Sequence, residues 1–481
     1  MKKKLYLLLF FLFQQQTISA QKLSVEQINQ DFDFLQRILE EAHPSLYWYT
    51  PKTEMDSAFK ATKLLLNRPL NERELYNIFS PLIAKIHCGH TYLNYSQAFE
   101  IAQQPIWLPM QLKYINDKLL IVNLSKSCSD STLTKGTEII AIDSIPVAKM
   151  VEMVRMNLFA DGFNQTFKDY FIGLYRFEEA LMYHFGKKEP YRFTVKDTFE
   201  NIRESVVFTK KRASPEPIKP EKKLTKDEEK IAKAKDLGSM RNYEILKKEN
   251  ALLMTCNGFG YEDYKVFNRK VFTKIKQKKI KNLIIDLRNN SGGDVGISDD
   301  ILKYILKKPI PNFLTCDAPV GKLSFTKDIE PAPKDHLFNP KQLKQLKNGK
   351  YRRVVDGISL LTPYKNLHFS GNIYVLTSGL TFSAGAILAS LLKAHSNAIF
   401  IGQETGGGEA GCSGGLISKV ILPQSNMKLK FPHFHLEVNT KATNIGRGVM
   451  PNFPINYTPK DIAQNRDLEL ETVSTLITNH K

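Results

Sequence analysis

At 481 residues and 42% hydrophobic side chains, the chain has material for a large core and for about three domains of ordinary size. Its 68 basic and 49 acidic residues leave a formal charge of +19, yet the basic side chains are scattered, with one local concentration over 210–235. No compact motif interleaves them with aromatics, which argues against a nucleic-acid partner. The 5 cysteines are an odd number without CxxC spacing, so they make neither a dense disulfide framework nor a cysteine zinc site. Most of Cys88, Cys128, Cys256, Cys316 and Cys412 read as small buried apolar residues.

The first 20 residues, MKKKLYLLLFFLF followed by QQQTISA, have a basic start, a short apolar run over Leu5–Phe13 and a small-residue stop at Ala20. This is the layout of a cleaved secretory signal, too short to span a bilayer. No cysteine follows that could carry a lipid, and no later stretch reaches transmembrane length. An exported protein, periplasmic or secreted, without an integral membrane segment is expected. Residues 21–104 read as a helical region: SVEQINQDFDFLQRILEEAHPSLYWY carries apolar residues at helical spacing and stops near Pro44, and NERELYNIFSPLIAKIHCGH reaches Gly89. Residues 105–205 hold short β-like runs, KLLIVNL, GTEIIAIDSIPV and YRFTVKD, broken by turn residues. Residues 206–246 form a Lys/Glu/Pro-rich linker or insertion, too poor in apolar side chains to build a core. From 247 to 465 apolar strands alternate with helical stretches. ALLMTCN, KNLIIDLRNN, NIYVLTS and NAIFIGQ are continuous apolar runs, as in strands covered on both faces of an α/β core. Residues 466–481 are a C-terminal tail, and no internal repeat stands out.

Two of these strands end in chemically loaded turns. NLIIDLRNNSGGD runs into Gly292 and Gly293, whose lack of a Cβ lets the backbone approach a ligand and turn its N–H groups inward. The same turn also accommodates a structural Asp286–Arg288 pair. The second strand delivers TSGLTFSAGAILASLL, with Ser383 opening an apolar small-residue helix. A serine there serves either as an N-cap or as a nucleophile in the positive field of a helix start.

The ordered segments NLIIDLRNNSGG, VLTSGLTFSAGAI, IFIGQETGGG and NIGRGVMPNFPI resemble the motifs of the tail-specific, or C-terminal processing, serine peptidase family. Upstream, IHCGHTYL resembles its short His-Thr motif, and GTEIIAIDSIPV resembles a segment of the PDZ-like module that the family commonly carries. The resemblance covers residues 24 to 460. It implies an α/β fold: a crotonase-like protease core with an N-terminal helical region and a PDZ-like β-rich module. It also implies hydrolysis of polypeptide substrates without a cofactor or metal. Carried over by position, Ser383 is the nucleophile, and Gly292, Gly293 and Ala384 supply the oxyanion-hole N–H groups.

The base is where the sequence departs from that pattern. Many members place a lysine in a Gly-Lys-Gly turn, but here GQETGGG fills the turn with Gly406, Gly407 and Gly408. A second branch, resembling the tricorn core protease, draws a histidine from the His-Thr motif, here His90, and imidazole suits that role near neutrality. Cys88 and Gly89 stand where the family often has an acid and the tricorn-like branch a serine; Met450 and Asn452 replace common carboxylates. The group that orients His90 is open among Glu404, Glu437 and Asn444. A zinc site from His87, His90, His433 and His435 lacks an HExxH motif or a carboxylate ligand, and Cys88 as a thiol nucleophile has only adjacency in its favour. The alternative from another class is an inactive relative that binds peptides or scaffolds partners.

Overall fold

The computed structural model describes residues 22–103, 106–184, 189–211, 238–260, 263–330, 341–355 and 357–479. The signal-like segment 1–20 and most of the charged stretch expected as a linker lie outside the described residues. The fold is α/β.

Helix α1 (Val25–Ala42) starts where Ser24 and Gln27 form a reciprocal capping box, and it buries Ile28, Phe32, Leu35 and Leu39 along one stripe. Helices α2 (Lys52–Leu64) and α3 (Glu72–Ala84) follow, α3 being capped by Asn71 and Glu74. The apolar spacing alone carries this second helical run to Gly89. The helix stops at Ala84, and His87 takes a positive φ of 56°. That break turns the chain from the helix into a loop holding His90, ahead of strand β1 (Tyr92–Asn94).

Strands β2 (Met110–Ile115), β3 (Lys118–Leu124), β4 (Glu138–Ile142), β5 (Tyr191–Lys196) and β6 (Ile202–Val207) form an antiparallel sheet in that order. Between β4 and β5 the chain is helical, with α4 (Val147–Met156), α5 (Thr166–Phe171) and α6 (Phe177–His184). The sequence pattern suggests only turns between the β-like runs here. Val147, Met150, Val151 and Val154 instead lie on one side of α4 and pack into the core of this sheet.

The central sheet contains β7 (Arg241–Leu246), β8 (Ala251–Cys256), β9 (Asn282–Asp286), β11 (Asn372–Thr377), β12 (Ile399–Gly402) and the short β15 (Phe453–Pro454). All neighbours from β8 onward pair in parallel, and only the edge strand β7 is antiparallel. Its two faces are both covered. Leu283 and Ile285 of β9 face the large core shared with helices α7 (Tyr264–Gln277), α8 (Val295–Lys303) and α9 (Ala384–His395). Ile284 faces the opposite side, toward Val473 and Ile477 of α10 (Leu468–Asn479). Burial on both sides is why these strands read as unbroken apolar runs.

A second, seven-stranded sheet contains β10 (Phe313–Ala318) and the long hairpin β13 (Gly411–Ile421) and β14 (Lys428–Val438). Strand β1 pairs antiparallel with β14, Tyr92 opposite Lys430. The far end of the hairpin buries Leu422, Met427, Leu429 and Phe431 against α1 and α3. The N-terminal helices are thereby fastened to the C-terminal half, and the His90 loop is delivered to the carboxyl end of the central sheet's strands.

Candidate active site

The parallel strands β9 and β11 are neighbours, so their carboxyl ends emerge side by side. Such ends are where open α/β sheets hold ligands. The two following loops are tied together: Thr381 Oγ1 donates to the Leu287 carbonyl at 2.8 Å, and the Phe382 N–H donates to the Asn290 carbonyl at 2.9 Å. Asn290 itself is fully buried, donates through Nδ2 to the Cys256 carbonyl at 3.0 Å and accepts the Gly292 N–H at 2.9 Å. Asp286 and Arg288 form a bidentate pair that extends to Asp467 and Glu469, holding the end of β9 to α10. That pair is scaffold.

Ser383 occupies the N-cap position of α9 but makes no capping hydrogen bond with its side chain. Its backbone sits at φ 50°, ψ −126°, outside the regions that L-residues normally occupy, a conformation that persists only where the surroundings enforce it. The hydroxyl is aimed elsewhere: Ser383 Oγ lies 3.2 Å from His90 Nε2, across 293 positions of sequence. The imidazole is 8% exposed and leans on Phe382 with ring centroids 4.6 Å apart. Burial lowers its pKa to about 4, partly opposed by the Ser413 backbone, so at neutral pH it is the uncharged form that faces the hydroxyl.

Gly292 and Gly293 take φ values of 107° and 128°. A Cβ on Gly292 would stand 2.6 Å from Ser383 Cβ and 3.1 Å from the Ala384 nitrogen, so only glycine allows this approach. The Gly292 N–H is already given to Asn290, which directs it away from a donor role. Ala384, first residue of α9, has an N–H without an intrahelical acceptor. The glycine turn 406–408 is closed. A Cβ on Gly406 would lie 2.1 Å from the Gly379 carbonyl oxygen, and one on Gly407 2.5 Å from Ala386 Cβ, leaving no room for a lysine stem.

The two carboxylate candidates for orienting His90 are engaged elsewhere. Glu404 pairs with Arg447 and accepts the Gly448 N–H at 2.7 Å; Glu437 accepts from Thr315; the Asn444 carbonyl accepts the Arg447 N–H. The acid beside the histidine is Asp161, which sequence reasoning missed. Its Oδ1 accepts the Gly89 N–H at 2.7 Å, and the loop carrying it is joined to the histidine loop by Gly162 N–H to the His87 carbonyl at 2.9 Å. Burial raises the Asp161 carboxyl to about 7 against the pull of the Gly89 and Gly408 N–H groups. In sequence, Asp161-Gly162 reads as a turn dipeptide, and nothing marks it as functional. Cys88 is buried and its thiol is pushed up to about 12, unsuited to a thiolate nucleophile.

Ser383, His90, Gly89 and Gly293 all line one cleft of about 1040 Å³, with apolar walls from Phe159, Phe167, Phe171, Leu416 and Ile417. Residues 253–455 match peptidase family S41. The matched segment, which carries the glycine pair and Ser383, is an S41 peptidase domain. That domain makes the chain a serine-type peptidase, a class whose substrates are polypeptides. The structure of mature CPAF complexed with lactacystin resembles it with a TM-score of 0.66 at 15% identity, over 95% of this chain and 99% of that one. Mature CPAF without that compound gives 0.64 at 14% identity, over 95% and 98%. The photosystem II D1 C-terminal processing protease gives 0.44 at 12% identity, over 94% and 97%. At such identities the CPAF likeness is one of fold. No curated protein matches the sequence. Among the described residues, no helix is long and apolar enough to cross a membrane.

Proposed function

We propose that this S41 chain is an exported serine endopeptidase in which Ser383 attacks the scissile carbonyl and His90 is the base, as in the histidine-using branch of the family. The observation that carries the reading is the 3.2 Å contact between Ser383 Oγ and His90 Nε2, inside a cleft with no lysine among its described lining residues. His90 takes the hydroxyl proton as the carbon–oxygen bond forms, then returns it to the leaving amine as the peptide bond breaks. The N–H groups of Gly293 and Ala384 hold the oxyanion, while Gly292 gives the close approach. Asp161 is the positioning group: a carboxylate accepting the Nδ1 proton keeps Nε2 as the acceptor facing Ser383. Residues 1–20 direct export to the periplasm or medium. Residues 105–205 act as the PDZ-like module that presents the substrate chain, and 247–465 are the protease core.

Fluorophosphonate labelling tests the assignment. Wild type is expected to label, and Ser383→Ala and His90→Ala to be silent, with Lys393→Ala unaffected because Lys393 is paired with Glu409 at 2.8 Å. An unlabelled, folded wild type would move the protein to the peptide-binding alternative. Sequencing the N-terminus of the protein recovered from the cell envelope or medium checks cleavage after Ala20.

A further inference from the structure

His90, Asp161 and Cys412 converge at one point of the interior. One donor atom from each, a ring nitrogen, a carboxylate oxygen and the thiol sulfur, lies within 4.8 Å of the other two. The three residues are 8%, 2% and 4% exposed. Two further facts point to a ligand. His90 Nδ1 has no hydrogen-bond partner of normal geometry, and neither has Asp161 Oδ2. Buried polar atoms are nearly always satisfied, so two orphans from neighbouring residues call for an occupant or a shared proton.

The donor set is selective. Nitrogen, oxygen and sulfur ligands together suit zinc, whereas magnesium and calcium want oxygen alone. Zinc holds these donors at roughly 2.0–2.3 Å, so the present spacing needs only a modest contraction. His90 lines the cleft, which gives the ion a way in.

We propose that His90, Asp161 and Cys412 form a binding site for a thiophilic divalent cation of the zinc type, whose occupancy reversibly silences the peptidase. The site itself follows from the three donors; the inhibition rests on the proposed role of His90. Coordination uses the Asp161 carboxylate and the Nδ1 lone pair, exposed as the ring proton moves from Nδ1 to Nε2, and the Cys412 thiol releases its proton to solvent as the metal–sulfur bond forms. A neutral imidazole carries one ring proton. With Nδ1 on the metal, that proton sits on Nε2, where it points at Ser383 Oγ and leaves no lone pair to accept the hydroxyl proton. The nucleophile and the cleft are untouched, yet the base has the wrong tautomer.

The test uses the full-length, metal-stripped protein and separates site from function. Cobalt(II), added alone as a spectroscopic probe, is expected to give a thiolate charge-transfer band in wild type that saturates at one equivalent. The band disappears in Cys412→Ser and in Cys412→Ala, the second variant guarding against a folding defect in the first. Zinc is then titrated against hydrolysis of a fluorogenic peptide. Wild type is inhibited and recovers on chelation, while the Cys412 variants, as active as wild type without zinc, need about tenfold more zinc or beyond. A charge-transfer band in a protein that cleaves nothing leaves the metal site standing and removes the hydrolase reading. An active enzyme with no band, or Cys412 variants as zinc-sensitive as wild type, overturns the proposal.

Discussion

Replacing Asp161 by asparagine probes the site with almost no change in shape. In the Asp161→Asn variant the side-chain Oδ1 still accepts the Gly89 N–H, 2.7 Å away in the native protein, so the loop stays anchored. The change falls on the other atom. Asp161 Oδ2 and His90 Nδ1 are both buried without a hydrogen bond of normal geometry, on side chains that converge at one point, and a carboxylate there can only accept, whereas an amide NH2 can only donate. The variant therefore favours a lone pair on Nδ1 and the proton on Nε2, the tautomer unable to deprotonate Ser383. Where an aspartate is directly hydrogen-bonded to a catalytic histidine, this exchange costs about 10⁴ in kcat. Here the donors are grouped within 4.8 Å without a formed bond, so a loss of about 10²–10³ is expected, or about 2.7–4 kcal/mol of transition-state stabilisation. The assay is kcat/KM on a fluorogenic peptide, alongside thermal melting to establish that the variant is folded. Asp161→Ala supplies the comparison. It removes the Gly89 anchor but forces no tautomer, so a purely structural role ranks alanine as the more damaging change, and the tautomer argument ranks asparagine at least as bad. An asparagine variant that melts like wild type and cleaves within about threefold of it refutes the reasoning.

Gly292→Ala places a Cβ 2.6 Å from Ser383 Cβ at a φ of 107°, so fluorophosphonate labelling should slow by more than about 10², the scale of losing one oxyanion donor; labelling at the native rate contradicts the close approach. Arg288→Ala strands Asp286 and Glu469, which are largely buried, and should destabilise the fold by roughly 3 kcal/mol in urea titrations while leaving turnover per folded molecule nearly intact. His43, His433 and His435 are buried together, and burial holds them down to about 3, 4 and 4, well below a free imidazole. The unfolded chain binds their protons first as the pH falls. Stability from this group is thus complete above about pH 6.5 and drains away toward pH 4, each histidine accounting for on the order of 2–3 kcal/mol. Urea midpoints equal at about pH 7 and pH 4.5 would falsify that account.

Much of the central sheet was legible because strands buried on both faces announce themselves: ALLMTCN, NLIID, NIYVLT and AIFIG coincide with β8, β9, β11 and β12. The positions of Ser383 and the glycine pair followed from strand ends, which local pattern can locate. The helices α4 to α6 were missed because their apolar residues sit between strand-like runs, and their partners lie in a sheet formed from both sides of them. The hairpin β13–β14 was missed as well. Its glycines and alternating lysines, GCSGGLISKVI and KLKFPHFHLEV, mask two long strands whose pairing only the fold supplies. Asp161 was illegible for the same reason. Its neighbours in space, Gly89 and Cys412, stand 72 and 251 positions away, and an Asp-Gly pair carries the ordinary signature of a surface turn. Asn290 hid inside a recognisable motif, where the glycines drew the attention that its clamp on Phe382 and Gly292 merits.

The pairing of β1 with β14 has a consequence for how the molecule comes into being. The loop bearing His90 is among the first parts translated, but the strand that docks its continuation, Lys428 to Lys430 opposite Tyr92 to Asn94, is among the last. A ribosome must therefore finish nearly the whole chain before the imidazole and the alcohol can meet. A copy cut short before Lys428 lacks the strand on which the histidine loop docks and is expected to be inactive.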